Sequence, residues 1–466
     1  MREYELVIDN SIKKGLTPQR SFPINDEWLW GALGFRVGKD DLEGYQLSDN
    51  SPLGGLVDMH YNWPFPQFIV GEAYNILVVR DNILTKDAVY QVSDDYATIT
   101  LIHDIDQLTY GQGTLMEAAD FGEYIFMTNG VVMIYWDPTL AAWQNMTVSA
   151  TIPMMRTVCN FKGQMIGGGV LSVWHDCDET FYCWSKIGDV DFTPDRDNEA
   201  GYRRDPYGGE VYHVRRLGDN IVGYSSKGIT LLNPVIDPAV TFGFVELDDV
   251  GLINRGAMDG NLRRQVYVGT DRILREITNQ GIKELGYYQF MDELDNGEDI
   301  IVKYDRINKD FYIGNSEKTY LLSPYGLTEI PQHPSAVWTM SSEDDEVIML
   351  PNTVDTFVPS IITSTFDMGY RGQKTIQSVE SNALLTFGPR ALVGWANSLA
   401  VWGYTTTVPL NIEGIAAITA SGNDFMIQLN FDYVAVPSPI QYIKVRYKMT
   451  DLRGIRGVYA PPLRGQ

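Results

Sequence analysis

GEYIFMTNGVVMIYW, residues 122–136, reads as an apolar strand, a polar turn and a second apolar strand. The same phrase recurs as AYNILVVRDNILTKD from Ala73, GQMIGGGVLSVW from Gly163, GDNIVGYSSKGITLL from Gly218, RRQVYVGTDRILREI from Arg263 and NKDFYIGNSEKTYLL from Asn308. Successive phrases lie about 40 to 55 residues apart, the period of a β-propeller blade. One small antiparallel sheet cannot cover both of its faces. A ring of such sheets can, and it leaves only short edges exposed. The spacing therefore predicts an all-β chain with a propeller of about six blades.

The composition agrees. Hydrophobic residues make up 44% of the 466 residues and aromatics 12%, enough for packed interiors. With 43 Gly and 22 Pro the chain can make many tight turns. Its length exceeds one compact core, so more than one domain is expected. Residues 1–60 lie outside the repeat: one alternating strand around Tyr4, then Gly-, Pro- and Asp-rich loop sequence ending in a connector, SDNSPLGG, around Ser51. Residues 61–352 carry the repeats. Residues 353–466 alternate cleanly again, as in Ile376–Leu385, Phe425–Phe431 and Tyr442–Met449, and read as a β-sandwich with a basic C-terminal strand and tail. The Tyr4 strand is a candidate to join that sandwich. The polar stretch Thr193–Gly209 is too long for a hairpin turn and is expected as an exposed loop.

The formal charge of −24 disfavours general nucleic-acid binding, because such a surface repels phosphate. It leaves open a protein past which DNA slides without sticking, and equally a plainly solvated surface. The last 26 residues run against this balance. Lys444, Arg446, Lys448, Arg453, Arg456 and Arg464 face only Asp451 there, which suggests docking on an acidic neighbour or a solvated strand face. Arg203, Arg204, Arg215 and Arg216 cluster near the long loop, as contacts to DNA at a gate, to a neighbouring subunit, or to solvent. The N-terminus MREYELVIDNS has no apolar signal core, and the longest uncharged stretch, between Arg390 and Glu413, alternates like strands and is no bilayer span.

Catalytic patterns are scarce. No nucleophile elbow, phosphate loop or metalloprotease motif occurs. The three cysteines, Cys159, Cys177 and Cys183, are too few for a disulfide framework, and His175, Cys177 and Cys183 lack a fourth ligand for zinc. Asp189, Asp191, Asp195, Asp197 and Glu199 could offer oxygen to calcium, but without the glycine and terminal glutamate of a known loop. No metal and no cofactor are expected. Asp104, Asp106 and Asp259 read as turn residues, Gly167–Gly169 as a strand-to-strand turn, and Trp136, Trp143, Trp174 and Trp184 as packing between sheets or a sugar-stacking set. A propeller can also carry paired carboxylates across its pore, so a carbohydrate-binding or glycoside-cleaving propeller is the alternative.

Several long strings add a resemblance. IGDVDFTPDRDNEAGYRRDPYGGEVYHVRRLGDNIVGYSSKGITLL from Ile187, VGLINRGAMDGNLRRQVYVGTDRILREI from Val250 and KELGYYQF from Lys283 are of this kind. So are FDMGYRGQKTIQSVE from Phe366, NIEGIAAITASGNDFMIQLNFDY from Asn411 and IKVRYKMTDLRGIRGV from Ile443. Together they resemble the β-propeller nozzle, or tail-tube hub, proteins of short-tailed bacteriophages, the packaged-DNA-stabilising type, over roughly residues 187–460. The resemblance implies a non-enzymatic virion protein in the tail. It implies a ring, usually of six copies, below an adaptor ring and docking fibres or spikes, around the channel by which the genome leaves. It carries over no catalytic residue.

Overall fold

The computed structural model describes residues 3–18, 28–45, 63–71, 74–80, 86–95, 97–106, 115–146, 149–195, 197–237, 240–339, 347–350, 357–369, 372–398, 401–432 and 439–450. The connector around Ser51, Arg453, Arg456 and Arg464 lie outside these residues. The chain is all-β and divides into two compact units.

The larger unit, residues 48–319 and 332–353, is the β-propeller. Five antiparallel meanders of four strands follow one another. They begin with the strands Gln67–Val70, Glu117–Phe121, Met155–Phe161, Val211–Leu217 and Met258–Gly260. A sixth opens with the pair Ile301–Tyr304 and Phe311–Gly314. A seventh, two-stranded member pairs Ala336–Thr339 with Val347–Leu350. Each of the six repeated phrases falls on the second strand of a meander and the turn that follows it, because that buried strand is the most continuously apolar. The two-stranded member lacks the phrase, so the period alone does not reveal it.

Hydrogen bonds between the first strands, or the segments just before them, hold the ring. The Gln67 side chain donates to the Met116 carbonyl at 2.5 Å and accepts from the Met116 amide at 3.0 Å. The Val302 amide donates to the Gly256 carbonyl at 2.9 Å. The Ser335 hydroxyl donates to the Pro66 carbonyl at 2.8 Å. Phe68 and Trp338 stack there with ring centroids 4.1 Å apart, so the start and end of the unit close on each other. Apolar clusters fill the spaces between sheets, as where Trp184 of the third meander packs edge-on against Phe242 of the fourth.

Three sequence expectations change here. Gly167–Gly169 is not a turn: these residues lie within the strand Gln164–Val170. A Cβ at Gly167 would meet Met155 Sδ at 2.0 Å, and one at Gly168 would meet Val211 Cγ1 at 2.6 Å; only Gly169 takes positive φ, at +65°. Gly167 makes room for Met155 of the adjoining strand and Gly168 for Val211 of the next blade. The stretch Thr193–Gly209 is only partly loop, since Gly201–Arg204 is the outer strand of the third meander, opposite Phe181–Trp184. Asp104 and Asp259 sit in strands, Ile99–Asp106 and Met258–Gly260, as does the backbone of Asp106.

The smaller unit comprises residues 1–47, 320–331 and 354–466. One sheet orders Glu3–Ile8, Ile443–Met449, Lys374–Ser381 and Ile415–Gly422. A second contains Leu29–Leu33, Ser360–Thr363, Asp424–Asn430 and Arg390–Ser398. Burial alternates along Ile415–Gly422, Asp424–Asn430 and the first five residues of Ile443–Met449, as it does in strands with one face in a core. The N-terminal strand pairs with the C-terminal one, Glu3 opposite Lys448 and Ile8 opposite Ile443. Residues 1–60 hold more structure than their loop-like composition suggests, including Leu29–Leu33, Phe35–Val37 and the short helix Asn10–Lys14. Residues 320–331 fall in this unit rather than in an uninterrupted 61–352 propeller, because Glu329 pairs in parallel with Leu33. Among the described residues no helix is long and apolar enough to cross a membrane.

Candidate functional site

The first strands of the meanders bring polar side chains to the propeller hub. Glu117, on the second meander, is at the centre of them. Its Oε2 accepts from the Thr157 hydroxyl of the third meander at 2.6 Å and from Arg215 Nη1 of the fourth at 2.8 Å. Its Oε1 accepts from Arg215 Nη2 at 3.0 Å and faces His213 Nδ1. Thr157 in turn accepts from the Val214 amide at 3.1 Å. One carboxylate thus ties three blades together. His213 Nε2 faces the main-chain carbonyl of Arg255, which leads into the fifth meander. On that meander Asp259 Oδ2 accepts from the Tyr304 amide of the sixth at 2.9 Å.

Glu117 and His213 are buried. Burial pushes the Glu117 carboxyl up, but Arg215, His213 and Arg255 outweigh it and hold it well below the usual carboxylate range. Burial lowers the basicity of Arg215, yet the Glu117 carboxylate prevails and raises its pKa. Burial lowers His213, against the pull of Glu117. Lys303, on the first strand of the sixth meander, is also lowered by burial, with Asp259 opposing. Arg215 keeps 34% of its side chain accessible.

The four arginines singled out in the sequence do not act as one cluster. Arg215 points to the hub. Arg216 lies next to it, where alternation turns a strand residue to the other face; its Nε donates to the Gly218 carbonyl at 3.0 Å. Arg203 and Arg204 lie on the outer strand of the third meander, Arg203 over the Phe244 ring at 4.6 Å and Arg204 donating to the Thr180 hydroxyl at 3.0 Å. Glu117, His213 and Arg255 escaped the sequence reading. Their signal is positional: one strand before each repeated phrase stands a polar residue within a mostly apolar segment.

In the smaller unit, Lys444, Arg446 and Lys448 are paired within the sheet. Lys444 reaches Glu5 at 3.2 Å and Glu380 at 3.7 Å, Arg446 reaches Glu5 at 3.1 Å and Glu380 at 3.3 Å, and Lys448 reaches Glu3 at 2.9 Å. The basic strand lies between strands that bring it Glu3, Glu5 and Glu380, so its described face is not a bare cationic patch.

No group of three His, Cys, Asp or Glu side chains among the described residues could hold a metal ion. In the acidic loop, Asp191 takes Lys186 Nζ at 2.6 Å and the Thr193 amide at 2.9 Å, and Asp189 takes the Val190 amide at 2.7 Å. The three thiols are free; Cys183 lies against Met155 and His175 stacks on Tyr202. Trp136 and Trp143 pack edge to face, and Trp174 donates to the Ala150 carbonyl from within a core cluster.

No protein-family profile matches the chain, and no curated protein matches it. Among solved structures, PorZ is described as an essential bacterial surface component of the type-IX secretion system of Porphyromonas gingivalis. It is 9% identical with a TM-score of 0.36, covering 70% of this chain and 44% of that one. This chain therefore matches less than half of the length of PorZ. Hsv2 of Kluyveromyces lactis is 10% identical with a TM-score of 0.34, covering 56% of this chain and 84% of that one. Likenesses this distant carry no argument here, and the fold rests on the strands and pairings above.

Proposed function

We propose that this chain is a structural, non-enzymatic component of a phage tail, a nozzle subunit. Copies of it, six by the resemblance, ring the DNA exit channel, retain the packaged genome and conduct it on ejection. The observation that carries the reading is the state of Glu117. A glycosidase needs one carboxyl held protonated near neutrality and a second at a fixed separation. Glu117 is instead held ionised and clasped by Arg215 across blades. Such a hub stiffens a ring, and a carboxylate in that state is no proton donor to a leaving group. The charge of −24 supports passage of a duplex without adhesion. In this reading Lys444, Arg446 and Lys448 would contact a neighbouring subunit or adaptor ring by sharing acids they already hold, joined by Arg453 and Arg456. Fibres or spikes would dock on the outside.

The test is assembly. Purified protein is followed by native mass spectrometry and negative-stain imaging over a wide concentration range, with and without an isolated portal–adaptor complex. Six-fold rings around an opening that admits a DNA duplex are expected. A chain that stays monomeric on that template and releases reducing sugar from polysaccharide would replace this reading with the carbohydrate one.

A further inference from the structure

The 22 residues between Arg390 and Glu413 carry no charge, in a chain of net charge −24. They include an outermost strand of the smaller unit. Val401–Tyr404 and Val408–Pro409 both pair with Arg390–Ser398, whose other side is taken by Asp424–Asn430. Among the described residues neither segment pairs with any further strand. The Thr405 amide donates to the Val393 carbonyl at 3.0 Å. Alternation along an antiparallel strand then turns the amides and carbonyls of Trp402 and Tyr404 to the open side. Val401 is 72% exposed and Tyr404 57%. Folded proteins ordinarily guard such an edge with charge or proline, because a bare one is a template for another strand. The outer strands of the propeller follow that rule. Ile99–Asp106, Gly201–Arg204, Val240–Asp248 and Gly281–Gly286 each carry charged residues, and Ala142–Asn145 has one exposed residue. Val401–Val408 has neither charge nor proline.

We infer that this neutral edge receives the strand Glu3–Ile8 of a second copy of the chain, so that a sheet of one copy continues into the next. The inference rests on the ring reading and names the strands that join its subunits. Glu3–Ile8 is itself an open edge: among the described residues it pairs only with Ile443–Met449, and Glu3, Glu5 and Val7 are exposed. Its place in the unit fits. Ile415–Gly422, at the far end of the same sheet, lies against Arg390–Ser398, where a Cβ on Gly422 would meet the Ala396 carbonyl oxygen at 3.0 Å. The two open edges therefore stand at opposite ends of one run of neighbouring strands. Two different edges on one subunit suit the head-to-tail contacts that close a ring. Charge fits as well. Copies of a chain at −24 repel one another, and a neutral edge is where approach costs least. Glu3 and Glu5 are already held by Lys448, Arg446 and Lys444, so they bring no bare carboxylate to the contact. Two Glu3–Ile8 edges would set acids opposite acids. Two Val401–Tyr404 edges would close a dimer and stop there.

The test compares assembly of the wild-type chain on an isolated portal–adaptor complex with that of a double variant, Val401→Lys with Tyr404→Lys, by native mass spectrometry and negative-stain imaging. Both positions are exposed, so the melting temperature of the variant monomer should stay within about 2 °C of wild type. The concentration needed for half-assembly should rise about tenfold or more. A second arm joins Tyr404→Cys with Glu5→Cys and adds a short bis-maleimide. A ladder of linked oligomers is expected from the pair and from neither substitution alone, above the background set by Cys159, Cys177 and Cys183 in wild type. If the lysine variant does not fold, the linkage pattern decides. Rings that form equally well with lysine at both positions overturn the inference and leave the ring reading standing. A linked dimer from Tyr404→Cys alone overturns it too, because this edge would then pair with itself. No ring from the wild-type chain on its template removes both readings.

Discussion

Replacing Glu117 by glutamine keeps the shape of the hub and removes its central charge. Arg215 and Arg255 then share the interior with no carboxylate between them. Breaking a buried ion pair by removing one partner costs about 3–5 kcal/mol. Two features of the site set the expectation at the lower end, about 3 kcal/mol. Arg215 is a third accessible, so water screens part of the loss. The glutamine carbonyl can also still accept from Thr157, whose hydroxyl reaches Glu117 at 2.6 Å. At about 2 °C per kcal/mol for a unit of this size, the melting temperature should fall by about 6 °C. Differential scanning calorimetry at neutral pH measures it. A double-mutant cycle with Arg215→Met should return a coupling of at least about 1 kcal/mol. The pH dependence gives an independent arm. The Glu117 carboxyl sits below its unfolded value of about 4.3, so its contribution is full above that pH and is lost as pH falls toward the folded value. The wild-type chain should therefore lose stability faster than the glutamine variant below about pH 4. A variant within about 0.5 kcal/mol of wild type, or two acid limbs that run parallel, would refute the view that this carboxylate fastens the blades.

Three other substitutions probe separate links. Gly168→Ala should cost about 1–3 kcal/mol in urea unfolding, because its Cβ would meet Val211 Cγ1 of the next meander at 2.6 Å. Trp338→Ala should cost about 3–5 kcal/mol and raise protease sensitivity around residues 63–70, since Trp338 stacks on Phe68 where the ring closes. Arg446→Gln should change stability by less than about 1 kcal/mol, because its pairs with Glu5 and Glu380 lie in a solvent-accessible sheet face; a larger loss would show that the basic strand is structurally essential within the subunit.

The propeller was legible because each blade repeats its most apolar hairpin, and period survives even when individual residues vary. The closing pair Ala336–Thr339 and Val347–Leu350 was not, since two strands with no phrase leave nothing to align. Gly167–Gly169 misled for a physical reason: glycine serves both turns and close approach, and only the strands packed against it, Met155 of its own blade and Val211 of the next, decide which. The arginines at 203, 204, 215 and 216 look like one patch along the chain. The fold separates them, placing 203 and 204 on an outer strand and 215 on an inner one. Glu117 gave no local motif, because its partners come from strands about 40 and 100 residues away.

The same distances explain why charge totals mislead about a closed fold. A net charge of −24 describes the surface that other molecules meet at long range. It says nothing of the hub, where a few side chains are selected by strand position and water is scarce. There, Glu117 is surrounded by cations, and Arg255 is left with idle donors. An acidic exterior and an interior where one carboxylate is ringed by cations are compatible, because the screening length in physiological salt is about 8 Å. A duplex sliding along the outside would feel the exterior and not the buried charges of the hub. Indifference to DNA at the surface should therefore persist when the hub loses a charge. Glu117→Gln should leave DNA binding by the full chain as weak as it was.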